Sequence, residues 1–354
     1  MVPGHADPVA TAGFANRFAE PRAAGFYRFA QGLAVSSVGI GSYLGDLDDK
    51  TDRGYTEATS AALRGGINFI DTSLNYRNQR SELSIGKAIR GLAAAGELRR
   101  AEFAICTKAG YLVPNATPGL NPAEVVGRTH CISPAFLSDQ LERSRVNLGL
   151  ETIDVFYLHN PETQLGEISR SDFDNRIHAA FELLEKKAAE AKIQFYGAAT
   201  WGGFRKPAGD SDGLSLVRLE EIAQTVGGSG HRFRFIQLPL NLAMGEAIAR
   251  RNETVDGKPA TILEAAAHLG ISVIASTSLL QARLAGNLPD EVAQSFPGFA
   301  TDAQRALQFT RSAPGVAVAL VGMSSAAHVK ENLAVAAVPP VPKQNFLRML
   351  ERER

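Results

Sequence analysis

The feature that most constrains this chain is a rhythm. From residue 32 onward, short β-branched or aromatic runs alternate with amphipathic segments of helical period. The runs predict strands near Val35–Ile40, Asn68–Asp71, Phe103–Thr107, Val155–Leu158, Ile193–Ala198, Phe235–Leu238, Ser272–Ala275 and Val318–Val321. The intervening segments predict helices near Thr56–Arg64, Ser81–Arg90, Pro134–Leu148, Arg176–Ala189, Leu216–Val226, Ile262–Leu269, Thr301–Arg311 and Ala326–Ala336. Ser133-Pro134 reads as a helix start, a capping hydroxyl followed by proline at the first helical position. Gly65-Gly66, Gly149 and Gly270 stand where helices should stop. Eight strands alternating with eight helices, without a linker-like break, predict one closed α/β barrel of (β/α)8 type, a TIM barrel, over residues 32–340. Residues 1–31, rich in Ala, Gly and Pro, read as an N-terminal extension, and 341–354 as a C-terminal tail. An open doubly wound sheet is the competing arrangement. Its glycine turn would fall in Gly39-Ile40-Gly41-Ser42-Tyr43-Leu44-Gly45, but the spacing is off by one residue, and Asp46, Asp48 and Asp49 follow where a helix should begin.

Charge narrows the function. The 354 residues carry 37 basic and 37 acidic side chains, with no basic stripe for nucleic acid. Two cysteines, Cys106 and Cys131, make no disulfide framework and no metal-type spacing; His130-Cys131 is too sparse a pair, so no metal is expected. The first thirty residues are interrupted by His5, Asp7, Arg17, Glu20, Arg22 and Arg28, and no stretch approaches the ~20 apolar residues of a membrane span. A cytoplasmic protein acting on a small molecule is expected, with no membrane partner; oligomeric state is not legible.

In such a barrel, chemistry collects at the C-terminal ends of the strands. Asp71, Lys108 and His159 end the second, third and fourth predicted strands, and Tyr76 follows Asp71 in the next loop. Singly, a strand-end Asp caps a helix, a Lys is solvated and a His is hydrogen-bonded. Together they suit proton transfer. A phenol titrates near ~10; a neighbouring ammonium should lower that value while a carboxylate holds the ammonium charged. A histidine can orient the substrate oxygen.

Gly66-Ile67-Asn68-Phe69-Ile70-Asp71-Thr72-Ser73-Leu74-Asn75-Tyr76, then Ser81-Glu82, Gly86-Lys87-Ala88, Tyr157-Leu158-His159 and Glu331-Asn332, resembles the aldo-keto reductase family over roughly residues 32–337. The resemblance implies Tyr76 as general acid/base, Asp71 and Lys108 as its tuning pair, and His159 as the group orienting a carbonyl. Hydride would come from NADP, with NAD as the alternative, bound across the barrel mouth. On the cofactor side the resemblance implies Thr200, Gln237, Ser276, Thr277, Leu279, Gly322, Ser324, Ser325, His328 and Asn332. Here the chain departs from the family: Ala199-Thr200 replaces a Ser-Asn pair, Ser276 replaces a stacking aromatic, and Gly322 and His328 stand where basic residues are frequent. Trp201, the only tryptophan, is either a substitute stacking surface or a packed loop residue. Arg283 and Lys330 are the other sources of positive charge.

The Gly110–Ser133 loop is long enough to form a lid or substrate wall. Tyr43 and Leu44 are placed to touch substrate, and Asn160-Pro161-Glu162, directly after His159, stands similarly at the rim. Arg77, where the family often has glycine, reads as a solvent-exposed loop arginine, the alternative being a cation near the pocket. Reversible reduction of an aldehyde or ketone is the leading function. A redox-neutral epimerase or lyase holding its nicotinamide cofactor tightly is one alternative, and a nucleotide-sensing barrel subunit without turnover is another.

Overall fold

A computed structural model describes residues 1–207 and 209–352. Eight parallel strands, β1 (Val38–Gly41), β2 (Phe69–Asp71), β3 (Ala104–Ala109), β4 (Ile153–His159), β5 (Ile193–Ala199), β6 (Phe233–Pro239), β7 (Ser272–Ser276) and β8 (Val316–Gly322), form a closed barrel in sequential order. The ring closes where Val38 stands opposite Ala319 and Gly41 opposite Gly322. Side-chain alternation sorts the strands. Phe69, Cys106, Tyr157, Phe235 and Leu320 fill the barrel, while Ile70, Ile105, Phe156 and Leu158 turn outward into the core under the helices. Burial on both faces is why these strands read as nearly continuous apolar runs. Among the described residues no helix is long and apolar enough to cross a membrane.

Three expectations change. The predicted first strand is two elements: Leu33–Ser36 pairs antiparallel with Tyr27–Ala30, and the barrel strand begins only at Val38. The Ser37 N–H donates to the Phe26 carbonyl at 2.7 Å, turning the chain from one sheet into the other inside what looks like one β-branched run. Residues 1–31 are therefore no loose extension. Ala6, Ala30, Leu33 and Val35 share the cluster inside the barrel, and the Ala6 N–H donates to the buried Asp154 carboxylate at 2.8 Å. They floor the end of the barrel opposite the site. Likewise the tail carries the helix Lys343–Arg352, whose Phe346 packs on Phe309 with ring centroids 5.1 Å apart.

Two helix starts also differ. The helix Asp49–Arg64 begins seven residues before the apolar pattern, capped by the Asp48 carboxylate on the Thr51 N–H at 2.7 Å; its first turns are polar and so carry no apolar period. Ser133 precedes Pro134–Leu148 as expected but makes no side-chain cap, its hydroxyl facing the Cys131 thiol.

Candidate active site

Asp71 ends β2, Lys108 is the penultimate residue of β3 and His159 ends β4, so adjacent strands deliver all three to one end of the barrel. Lys108 Nζ donates to Asp71 Oδ1 at 2.6 Å, to the Thr72 carbonyl at 2.8 Å and to Tyr76 Oη at 3.4 Å. The second carboxylate oxygen of Asp71 accepts from the Gln237 amide at 2.8 Å. The Tyr76 and His159 rings meet edge to face at 5.7 Å, and Tyr43 covers the other side of Tyr76 at 5.0 Å.

Tyr76 is held by an unusual loop. Arg77, Asn78 and Gln79 all take left-handed backbone angles, with φ of 49°, 50° and 72°, before the helix Arg80–Ala94 starts. Each such residue costs about 1–3 kcal/mol unless its surroundings fix it. Arg77 does the fixing and is buried, against the expectation of an exposed arginine. The left-handed turn carries its guanidinium inward, where it donates to the Asp46 carbonyl at 2.7 and 2.8 Å, pairs with Asp52 at 2.7 Å and lies over the Tyr55 ring. It ties the loop after β1 to the loop bearing Tyr76.

Electrostatics follow from burial. Desolvation alone would lower the Lys108 ammonium, but the Asp71 charge, aided by Tyr76, outweighs it and lifts the group above the usual lysine range. Burial pushes the Asp71 carboxyl up, opposed by Lys108 and Gln237. Tyr76 departs from the simple expectation: Lys108 pulls its phenol down, yet burial wins and the phenol sits above its ordinary value. Tyr76 is thus protonated at neutral pH. Burial, reinforced by Lys108, holds His159 well below the usual imidazole range, so its ring is neutral.

Behind His159 lies a layer that the sequence did not reveal. His159 Nδ1 is 3.2 Å from Ser73 Oγ. Its carbonyl accepts from His130 Nε2 at 2.8 Å, and His130 Nδ1 meets the Gln164 amide at 2.8 Å. The Gln164 carbonyl oxygen in turn accepts from Arg176 at 2.5 Å. Gly110 leaves the gap for this contact, since a Cβ there would stand 2.3 Å from the His159 carbonyl and 2.8 Å from His130 Nε2. Tyr111 packs against both His130 and His159 at 5.1 and 5.2 Å and accepts from the Asn160 amide at 2.9 Å. The Gly110–Ser133 loop therefore supplies a wall through Tyr111 and a support through His130. An aromatic residue three positions after Lys108 was the one available signal.

A cavity of about 570 Å³ opens over this group. Tyr76, Asp71 and His159 line it, while Lys108 is fully buried behind them. Of the expected cofactor residues, Thr200, Gln237, Ser276, Thr277, Leu279 and Gly322 share the lining, and Ser324, Ser325, His328 and Asn332 do not. Ser325 caps the helix Ala326–Leu333, on which His328 is exposed and Asn332 buried. Among the described residues Thr200 Oγ1, Ser278 Oγ and Asn332 Oδ1 are buried without a hydrogen-bond partner. Tyr43, Leu44, Asn160 and Trp201 also line the cavity, and Trp201 is 47% exposed rather than packed. Among the described lining residues there is no Lys or Arg.

Residues 37–203 match the aldo/keto reductase family. The chain is 30% identical over 190 residues to a D-threo-aldose 1-dehydrogenase of a Pseudomonas species, covering 50% of this chain and 52% of the relative. It is 27% identical over 169 residues to an NADH-specific methylglyoxal reductase of Escherichia coli, covering 48% and 47%. The match thus spans about half the length of these curated relatives. An aldo/keto reductase from Klebsiella pneumoniae, solved with NADP and acetate, superposes with a TM-score of 0.63 at 22% identity, covering 92% of this chain and 94% of that one; this likeness concerns the fold. Asp71, Tyr76, Lys108 and His159, at the mouth of the closed eight-stranded barrel, all lie inside the segment that matches the aldo/keto reductase family.

Proposed function

We propose that this chain is a nicotinamide-dependent oxidoreductase that reversibly reduces an aldehyde or ketone, with Tyr76 as the proton donor. The observation that carries the reading is one contact set: a protonated, half-buried phenol 3.4 Å from an ammonium that is itself held at 2.6 Å by a carboxylate, beside a neutral histidine at the same cavity. NADP is the cofactor assigned first, as in the Klebsiella pneumoniae relative. NAD is the alternative, favoured by a lining without Lys or Arg and by the NADH-specific Escherichia coli relative. Thr200, Gln237, Ser276, Thr277, Leu279 and Gly322 would hold its nicotinamide and phosphate portions, and Ser324, Ser325, His328 and Asn332 its adenosine end. When bound, the reduced nicotinamide supplies hydride to the carbonyl carbon.

The chain's own residues handle the proton. His159, with Nδ1 turned to Ser73, keeps Nε2 for the substrate oxygen. Tyr76 gives its hydroxyl proton to that oxygen, and Lys108 stabilises the phenolate left behind. Asp71 keeps Lys108 charged and aimed, and water reprotonates Tyr76 after release. A positioned acid of this kind contributes ~10²–10⁴-fold. Titration with NADPH and NADH by fluorescence, then a carbonyl panel with wild type and Tyr76→Phe, tests the reading. Expected is nucleotide binding unchanged in Tyr76→Phe and turnover reduced by ~10²–10⁴-fold. If neither nucleotide binds below about 1 mM, the oxidoreductase reading fails. Equal turnover by both variants removes Tyr76 from its role.

A further inference from the structure

Glu162 stands three residues beyond His159, in the short turn Pro161–Gly166, and is almost fully buried. Its Oε1 accepts the backbone N–H groups of Trp201, Gly202 and Gly203 at 2.8, 3.0 and 3.2 Å. Among the described residues its Oε2 is buried without a partner. Among the described residues those three amides have no other acceptor, and the Trp201 ring stacks on no aromatic neighbour. The approach needs glycine, because a Cβ on Gly203 would stand 2.9 Å from Leu214 and 3.3 Å from Glu162 Cβ. At the other end of this segment, the Thr200 N–H donates to the Gln237 carbonyl at 2.8 Å, and the Ala199 carbonyl accepts from the Asn160 N–H at 2.6 Å. The wall is therefore sheet-bound at one end. At the other the Glu162 carboxylate takes its three amides, while the Gly202 and Gly203 carbonyls accept from the Arg205 and Leu214 N–H groups at 2.9 Å each. Thr200 and Trp201, between the two anchors, line the cavity, and the Thr200 hydroxyl is the one left buried and unpaired.

We propose that Glu162 is a positioning residue that clamps the Trp201–Gly203 backbone against the end of β5 and thereby sets the affinity of the cavity for its nucleotide. Three N–H donors on one oxygen suit a full negative charge better than an amide. Without that oxygen the three donors are stranded, and the wall relaxes toward water to satisfy them. The affinity half rests on the oxidoreductase reading above; the clamp itself does not.

Trp201 is the only tryptophan, so intrinsic emission reports this wall with no added probe. The test compares the full chain with Glu162→Ala, Glu162→Gln and Glu162→Asp in emission maximum, acrylamide quenching, melting temperature, and affinity for NADPH and NADH. Expected for Glu162→Ala is a red-shifted emission, quenching raised about twofold, and nucleotide Kd and KM raised about tenfold or more with kcat within about threefold, the loss of one charge-assisted contact. Glu162→Gln, which keeps an acceptor but loses the charge, should recover only part of the change. Glu162→Asp, which withdraws it by one methylene, should recover little, and it decides the matter if Glu162→Ala does not fold. Parent-like emission and quenching in Glu162→Ala or Glu162→Asp overturn the clamp. A changed Trp201 signal with unchanged Kd overturns its link to affinity. If the parent itself binds neither nucleotide, the oxidoreductase reading fails, while the emission data still judge the clamp.

Discussion

On one side of the cavity Asp71, Lys108 and Gln237 satisfy one another; on the other, Thr200 and Ser278 bury hydroxyls that nothing among the described residues pairs, and Asn332 beyond the lining does the same with its amide oxygen. The first region is complete without a ligand. Its charges are oriented by short contacts in a low-dielectric site, where a full set of partners is rigid and a partial one is costly. On the proposed function the second region pairs with the nucleotide, so its stability and its chemistry should depend on what binds. Substitutions can separate the two, because the first kind of region answers to mutation in the free protein and the second mainly in the bound one.

The largest effect should come from Lys108→Met. Removing the ammonium leaves the Asp71 carboxyl buried with Gln237 alone. Breaking a buried pair from one side costs about 3–5 kcal/mol. We expect that loss in urea unfolding of the free protein, together with a fall in turnover at least as large as that of Tyr76→Phe. A stable Lys108→Met variant with normal turnover would mean that the tetrad is neither prebuilt nor catalytic.

The completed region extends behind His159, and there pH is the probe. Burial lowers His130 to about 4, although its contact with the His159 carbonyl works the other way. The unfolded chain binds that proton near 6.5, so the unfolded state is the more protonated one between those values. The His130 contribution is fully present above about pH 6.5 and is lost as pH falls toward 4, by about 3 kcal/mol in all. Stability measured for wild type and His130→Gln across pH 4–7 should therefore converge in acid by roughly that amount. Parallel curves would show that His130 is not held neutral.

This contrast also separates what the sequence could and could not disclose. Asp71, Lys108 and His159 were legible because each ends an apolar run of recognisable length, and the barrel then brings the ends of adjacent strands together. Phe69 and Ile70 face opposite ways for the same local reason, so the strand centres were legible too. The jog at Ser37 was not, because a change of sheet leaves the β-branched pattern unbroken. Arg77, His130 and Glu162 were also missed or misread. They are polar residues in loops, and their burial comes from carbonyls, amides and a carboxylate 25 to 41 positions away, at Asp46, Asp52, His159 and Trp201–Gly203. No local period encodes such contacts.

The smallest predicted effect tests the open side of the comparison most directly. Thr200→Val keeps the shape of the side chain and replaces the unpaired hydroxyl by a methyl group. In the free protein this removes a buried polar atom that has no partner, so stability should stay constant or rise by up to about 1 kcal/mol. With nucleotide present the sign should reverse. A hydroxyl that finds its partner only in the ligand contributes about 0.5–1.5 kcal/mol, so affinity should fall by a few-fold to about tenfold. The rise in melting temperature that nucleotide produces should shrink accordingly. A Thr200→Val protein that is destabilised without nucleotide and unchanged in affinity would reverse the assignment. The hydroxyl would then belong to the prebuilt side, and the open region would begin at Ser278.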